Sequence, residues 1–367
     1  GAAPSPGDLG AVPDTAGRAY VGVFPAHGSA LFGHAHPRLV EALSEGANRP
    51  WTIGMGFDDE TRSTLMENLG GLLPGGKAYL CNSGTEAIEA ALKLVALARP
   101  ERRRILALRR AFHGRTTGAL SLTFNPHYRR PFQAYLFDVE HLAAENLPGA
   151  IDETVAAVFV EPVQGEGGVH PMDPALGMAI SAACAQAGAI LVADEVQSGF
   201  GRCGSLLASS LTGLASDIVC LAKGVAGGLP VGVTVWKDTL GDFPQGSHGS
   251  TYGGNPLVSR VASEAFALVS GEGLCEKARE TGEAFRLRLE AIASPSIREV
   301  RGLGLLVGVQ VEGRSAPVVR ALQERGVLAL PAGPNVVRFL PSFAAEPAHF
   351  ERAAQVLEEV LALGNPE

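Results

Sequence analysis

Through the middle of the chain, short unbroken apolar runs alternate with segments of helical spacing. The runs KAYLCN (77–82), RILALR (104–109), VAAVFVEP (155–162), AILVADE (189–195) and DIVCLAK (217–223) read as strands. Each is apolar throughout instead of alternating, so both faces of its sheet are covered. Between them, TEAIEAALKLVALA (85–98) and PALGMAISAACAQAG (174–188) carry apolar residues at helical spacing. Strands and helices in alternation predict an α/β fold with a mostly parallel sheet. A long helix starts near Pro256, and the chain beyond it reads as a smaller α+β domain. The boundary falls within 255–275, giving a large domain at 46–255 and a small one built from 1–45 and 256–367.

Composition narrows the class. The 367 residues exceed what one hydrophobic core usually organises, which suits two domains. Apolar residues make up 46%, enough for a globular chain. A net charge of −8 gives nucleic-acid binding no support. The cysteines, Cys81, Cys184, Cys203, Cys220 and Cys275, show no C-x-x-C spacing and read as buried thiols of a reducing cytoplasm. No apolar run reaches the roughly 18 residues of a membrane helix. The opening GAAPSPGDLGAV has no charged start followed by an apolar block, so it reads as a ragged end and not a secretory signal.

Two glycine-rich stretches carry no nucleotide chemistry. GLLPGGKA (71–78) nearly matches a phosphate loop, but Ala78 stands where a magnesium-ligating hydroxyl belongs, and the segment precedes a strand. In RGLGLLVG (301–308) the third glycine falls one residue late for a dinucleotide fold, so a close-packed strand is the better reading.

Lysine is scarce, with Lys77, Lys93, Lys223, Lys237 and Lys277 alone. Only Lys223 closes an apolar strand and opens a glycine-rich bend, GVAGGLPVG. Open α/β sheets bind ligands at the carboxyl ends of their strands. A desolvated lysine there becomes a nucleophile. Taken alone, a strand-end lysine snorkelling to water explains it equally well. The preceding run ends in Asp194 and Glu195. A buried carboxylate needs a cation, and the protonated ring nitrogen of pyridoxal phosphate is one. CNSGTEAIEAAL ends a strand at Cys81, turns through Ser83, Gly84 and Thr85, and opens a helix. Free N–H groups there suit a phosphate, and the same residues make an ordinary helix cap.

The motifs NSGTEAIEAALKL, AFHGRTTGALSLT, EPVQGEGGV, ADEVQSGFGR, AKGVAGGLPVG and HGSTYGGNP occur in that order. From GHAHPRLVEAL to RFLPSF, nearly the whole chain resembles the class III pyridoxal-phosphate aminotransferases of fold type I, in the acetylornithine/ornithine branch. That resemblance implies a large domain around a mostly parallel seven-stranded sheet and a smaller α+β domain. It implies Lys223 as the lysine that bonds the cofactor and shuttles the proton. Asp194 pairs with the ring nitrogen, Gln197 lies near the ring hydroxyl, and Phe112 stacks on the ring with His113 beside it. Ser83, Gly84 and Thr85 bind the phosphate. Thr251 reaches the phosphate of the neighbouring subunit, which makes a homodimer with shared active sites obligatory. No metal is implied.

On the substrate side the resemblance places His27, Ser250, Arg115, Glu166 and Arg338. Arg115 should hold an α-carboxylate in a bidentate fork, and Arg338 that of glutamate or 2-oxoglutarate. One pocket must take an amine with no carboxylate at the reacting carbon, then glutamate, which has one. Glu166 can pair with Arg338 in the first case and swing away in the second. Read on its own, Glu166 is a loop carboxylate in solvent.

The tail from Ala291 to Pro341 looks closest to enzymes of the bacterial lysine route, in which an acidic amino-group carrier protein bears γ-linked lysine. Acetylornithine aminotransferase, or an enzyme doing both jobs, is the alternative. An aminomutase of the same fold would not need the Glu166–Arg338 pair. Arg99, Arg102, Arg103, Arg104, Arg109, Arg110 and Arg115 crowd one stretch. They read either as a docking patch for the carrier or as a solvated face. Gly22 stands where the family usually shows aspartate. His27 stands where it shows tyrosine or an aliphatic residue, which bears on chain-length preference. The segment before Gly17 reads as short for the family, so part of the entrance wall is expected to be missing or disordered.

Overall fold

The apolar runs become the centre of a seven-stranded sheet. The computed structural model describes residues 11–13, 15, 17, 19–22, 25–54 and 56–363, so most of the opening segment lies outside the described residues. The strands are β1 (Gly76–Cys81), β2 (Arg104–Leu108), β3 (Glu140–Leu142), β4 (Val155–Val160), β5 (Ile190–Asp194), β6 (Ile218–Leu221) and β7 (Gly232–Lys237). Their order is β1-β7-β6-β5-β4-β2-β3. All neighbours pair in parallel except β7, which runs antiparallel to β6 and β1. Every residue of β4, β5 and β6 is buried, which is why these strands show no alternation.

Helices α1 (Gly84–Ala98) and α2 (Pro174–Ala187) flank the sheet, α1 against β6 and β7 and α2 against β5. Separate apolar clusters form around each. Asp173 caps α2 by accepting from Leu176 N at 3.0 Å, and Gly188 ends it at φ +67°.

A second, antiparallel sheet has the order β8-β9-β11-β10, from β8 (Ile297–Leu303), β9 (Leu306–Val311), β10 (Leu330–Ala332) and β11 (Val336–Phe339). The β8–β9 turn needs glycine at Gly304. Its φ is +51°, and a Cβ there would sit 2.6 Å from the Cys203 carbonyl carbon. Helices α3 (Pro256–Gly271), α4 (Leu274–Glu290) and α5 (Pro347–Ala362), with the helix Ser315–Glu324, complete this part. The segment read as a boundary is mostly helix: α3 runs through it and packs on helices Pro37–Ala47 and Glu60–Gly70. Near the start of the chain, Val21 and Gly22 pair in parallel with Val327 and Leu328. Among the described residues the five cysteines are free thiols, and no helix is long and apolar enough to cross a membrane.

Candidate active site

Because β2, β4, β5 and β6 are parallel, their carboxyl ends share one edge of the sheet. A cavity of about 440 Å³ opens there. Lys223, two residues past β6, lines it at φ +50°, a backbone region that L residues rarely adopt. It is half-buried and forms no ion pair or side-chain hydrogen bond among the described residues. Loss of water around its amine pulls the pKa down to about 8, against the opposing pull of Glu166.

The register of β5 on β6 sets Asp194 opposite Cys220, three residues before Lys223. Asp194 is buried at 5% exposure and already has an imidazole partner in the chain, His113. Its Oδ2 accepts from His113 Nδ1 at 2.8 Å, and its Oδ1 from Val196 N at 3.0 Å. Burial pulls the His113 imidazole down, but the hydrogen bond and charge of Asp194, with Glu161 beyond, outweigh it and hold the ring above its ordinary value. Glu195, the next residue, faces other partners. It accepts from Ser198 Oγ, Ala208 N and Ser209 N at 2.7–3.0 Å, so neutral donors satisfy it without a cation.

Glu161, one residue past β4, begins one of the sequence motifs but has no role assigned from sequence. It lines the cavity, buried, and accepts from Phe112 N at 3.0 Å. Burial pushes its carboxyl up to about 8, with Asp194 adding to the rise against His113. It is therefore protonated at neutral pH.

Ser83 caps α1 by accepting from Glu86 N at 3.3 Å. Ser83, Gly84 and Thr85 all line the cavity, which brings the first turn of a 15-residue helix to it. Gly84 is held against Val196: a Cβ would lie 2.8 Å from its Cγ1. Asn82, also unassigned from sequence, lines the cavity and donates to Ser250 Oγ at 3.0 Å. Thr251 is exposed and does not line it.

On the far side of Lys223, Arg338 from β11 is buried at 1% exposure. Its Nη2 meets Glu166 Oε1 at 2.7 Å, and its Nη1 donates to Gln197 Oε1 at 2.8 Å. Burial alone would raise the Glu166 carboxyl, but Arg338 and Lys223 bring it below its ordinary value. The Arg115 guanidinium lies 5.2 Å from the Tyr128 ring centre and 5.9 Å from that of Phe112. His27 lies outside the cavity lining yet near enough to feel Glu166, Arg338, Lys223 and Arg115. Burial first, then the cations, lower its pKa.

The arginine stretch is divided and forms no single patch. Arg99 donates to Gly188 O at 2.7 Å, and Arg102 to Ala187 O at 2.9 Å. Arg104 pairs with Glu140 and Asp152. All three sit at the amino end of β2, and its five residues span about 16 Å before Arg109 and Arg110 at the site edge.

The residues present suit pyridoxal phosphate. A carboxylate offers about four lone-pair sites, and Asp194 uses two. A desolvated lysine, an aromatic ring at Phe112 and a capped helix start surround the same space.

The class-III aminotransferase profile matches residues 7–361. The chain is 39% identical over 362 residues to a "[LysW]-aminoadipate semialdehyde transaminase" of Deinococcus radiodurans, covering 96% of this chain and 84% of that one. It is 37% identical over 355 residues to a "[LysW]-aminoadipate semialdehyde/glutamate semialdehyde transaminase" of Sulfolobus acidocaldarius, covering 95% and 92%. An ornithine aminotransferase structure from Toxoplasma gondii, with PLP in partial occupancy at its active site, superposes with a TM-score of 0.90. Identity is 30%, over 98% of this chain and 90% of that one. Lysine, aspartate and helix start thus stand in a chain that belongs, over residues 7–361, to the class-III aminotransferases, enzymes dependent on pyridoxal 5'-phosphate.

Proposed function

We propose that the protein moves an amino group between the terminal amine of carrier-linked lysine and 2-oxoglutarate, in lysine biosynthesis, as a cytoplasmic homodimer. The names and 37–39% identities of its relatives support the substrate. The observation that carries two-substrate chemistry is the Glu166–Arg338 pair at 2.7 Å beside Lys223. Masked by Glu166, the pocket suits an amine without a nearby carboxylate. With Glu166 turned aside, Arg338 receives the α-carboxylate of glutamate.

Asp194, Phe112, Gln197 and the Ser83–Thr85 turn hold the cofactor, and Thr251 reaches the partner subunit's phosphate. The cofactor, when bound, supplies the electron sink. The Lys223 amine takes and returns a proton at the carbon bearing the amine. Arg115 orients the substrate's α-carboxylate against the Phe112–Tyr128 wall. The deciding measurement is kcat/KM for carrier-linked lysine against acetylornithine. A value at least tenfold higher for the carrier-linked amine is expected. The reverse order assigns the enzyme to arginine biosynthesis.

A further inference from the structure

A second cavity, of about 520 Å³, adjoins the first, and the two share Phe112 and Glu166. The segment after β2 forms one side of it and residues 331–334, the end of β10 and the turn after it, the other. These walls are tied together. Gly333 N donates to Glu166 O at 2.9 Å, and Gly167 packs so closely on Arg110 that a Cβ would lie 2.6 Å from the Arg110 carbonyl oxygen. Arg115 lies against Phe112 and Tyr128, and Tyr128 also lines the second cavity. A substrate reaching from Lys223 past Arg115 therefore extends into this space.

Two charged residues line it, Glu166 and Arg110. Glu166 is engaged by Arg338. Arg110 is exposed and forms no ion pair among the described residues. Its Nη1 meets His170 Nε2 at 3.1 Å. That imidazole is neutral, because burial and then Arg301 and Arg110 pull its pKa down to about 4. Arg301 is spent on Gly168 O, Val169 O and Glu299. Arg110 thus presents a guanidinium edge with no carboxylate on it. Its φ of +69° belongs to glycine territory, so the backbone bears strain to hold a side chain here.

We infer that the second cavity receives the part of the substrate beyond the amino-acid unit, and that Arg110 determines specificity by binding a carboxylate on that part. The inference rests on the proposed function, since it takes the substrate to be capped on its α-nitrogen. The carboxylate has two possible sources: a γ-glutamyl cap joined to the substrate, or acidic side chains on the carrier surface.

The test uses holoenzyme, wild type and the Arg110→Gln and Arg110→Gly variants. Four small donors are compared, lysine and ornithine, each capped on the α-nitrogen by acetyl or by N-acetyl-γ-glutamyl, whose only added charge is one carboxylate. Within one chain length, the ratio of kcat/KM for the γ-glutamyl cap over the acetyl cap should fall tenfold or more in both variants, through KM. Glycine suits the backbone at this position, so Arg110→Gly with an unreduced Tm separates lost recognition from lost folding. If the ratio holds but carrier-linked lysine weakens tenfold, the carboxylate belongs to the carrier surface and the role of Arg110 stands. If both caps fall equally, or neither the ratio nor carrier-linked lysine changes, the inference is overturned. Preference for lysine or ornithine in the wild type judges the proposed function separately, because the ratio is read within one chain length. Wild type that turns over none of the four, nor carrier-linked lysine, overturns both.

Discussion

Removing Glu166 should expose what Arg338 is for. The Arg338 guanidinium is 1% exposed, and its acceptors are Glu166 at 2.7 Å and Gln197 at 2.8 Å, while its Nε has no partner. Breaking a fully buried ion pair costs about 3–5 kcal/mol, because a charge stays behind uncompensated. Glu166 is 32% exposed, and Gln197 remains, so about 2 kcal/mol is the reasonable figure here. An incoming carboxylate recovers that energy without first displacing Glu166. In Glu166→Ala, glutarate, a dicarboxylate that cannot react, should bind about 30-fold more tightly. Calorimetric titration of the holoenzyme measures this directly. Single-turnover rates with glutamate should hold or rise, while those with the ω-amine fall. Equal glutarate affinity in wild type and variant, or an equal fall in both half-reactions, would refute a gate at Glu166.

Lys223→Ala should abolish turnover yet retain cofactor through gel filtration, since Asp194, Phe112 and the helix start remain; near-normal kcat would remove Lys223 from its role. In cofactor-free protein, the Lys223 amine near 8 leaves about a tenth neutral at pH 7, so cofactor uptake should climb with pH through about 8, and a midpoint near 10 would contradict the desolvation argument. Asp194→Asn should lower kcat more than tenfold, about 1.4 kcal/mol, and a smaller loss means that another group holds the ring nitrogen. Glu161 titrates near 8 in the fold against an ordinary 4.5, so its contribution is complete in acid and is lost as pH rises through 8. The Tm of Glu161→Gln should gain on wild type between pH 5 and pH 9, and a constant difference would refute this. Arg110→Gly should raise stability by about 1 kcal/mol by relieving its positive φ, and a lowered Tm would show that the side chain is structural.

The centre of the fold was legible because β4, β5 and β6 are buried on both faces and read as unbroken apolar runs. β3 has only three residues, and β7 follows a glycine bend, so neither stood out. Lys223 and the Ser83 cap are local features, a strand end and a helix start, and local spacing reveals them. Glu161 is also a strand-end residue, but so is Glu195, which only serves Ser198, Ala208 and Ser209. Telling them apart requires knowing that β4 lies between β2 and β5, which brings Glu161 to Phe112 and His113. The arginines, readable as a docking patch or as a solvated face, stayed ambiguous for the converse reason. Neighbours in sequence, they are parted by a strand that runs the depth of the sheet.

The backbone around Glu166 is pinned on both sides, by Gly333 N on its carbonyl and by Gly167 against Arg110. Only the side-chain torsions of Glu166 are then free to change between the two half-reactions. Partly exposed side chains hop between rotamers in picoseconds to nanoseconds, whereas loops and hinges that must open take microseconds or longer. If Glu166 gates Arg338 as proposed, the exchange of partners is over long before any chemical step or product departure, and the switch sets no limit on how fast the enzyme cycles.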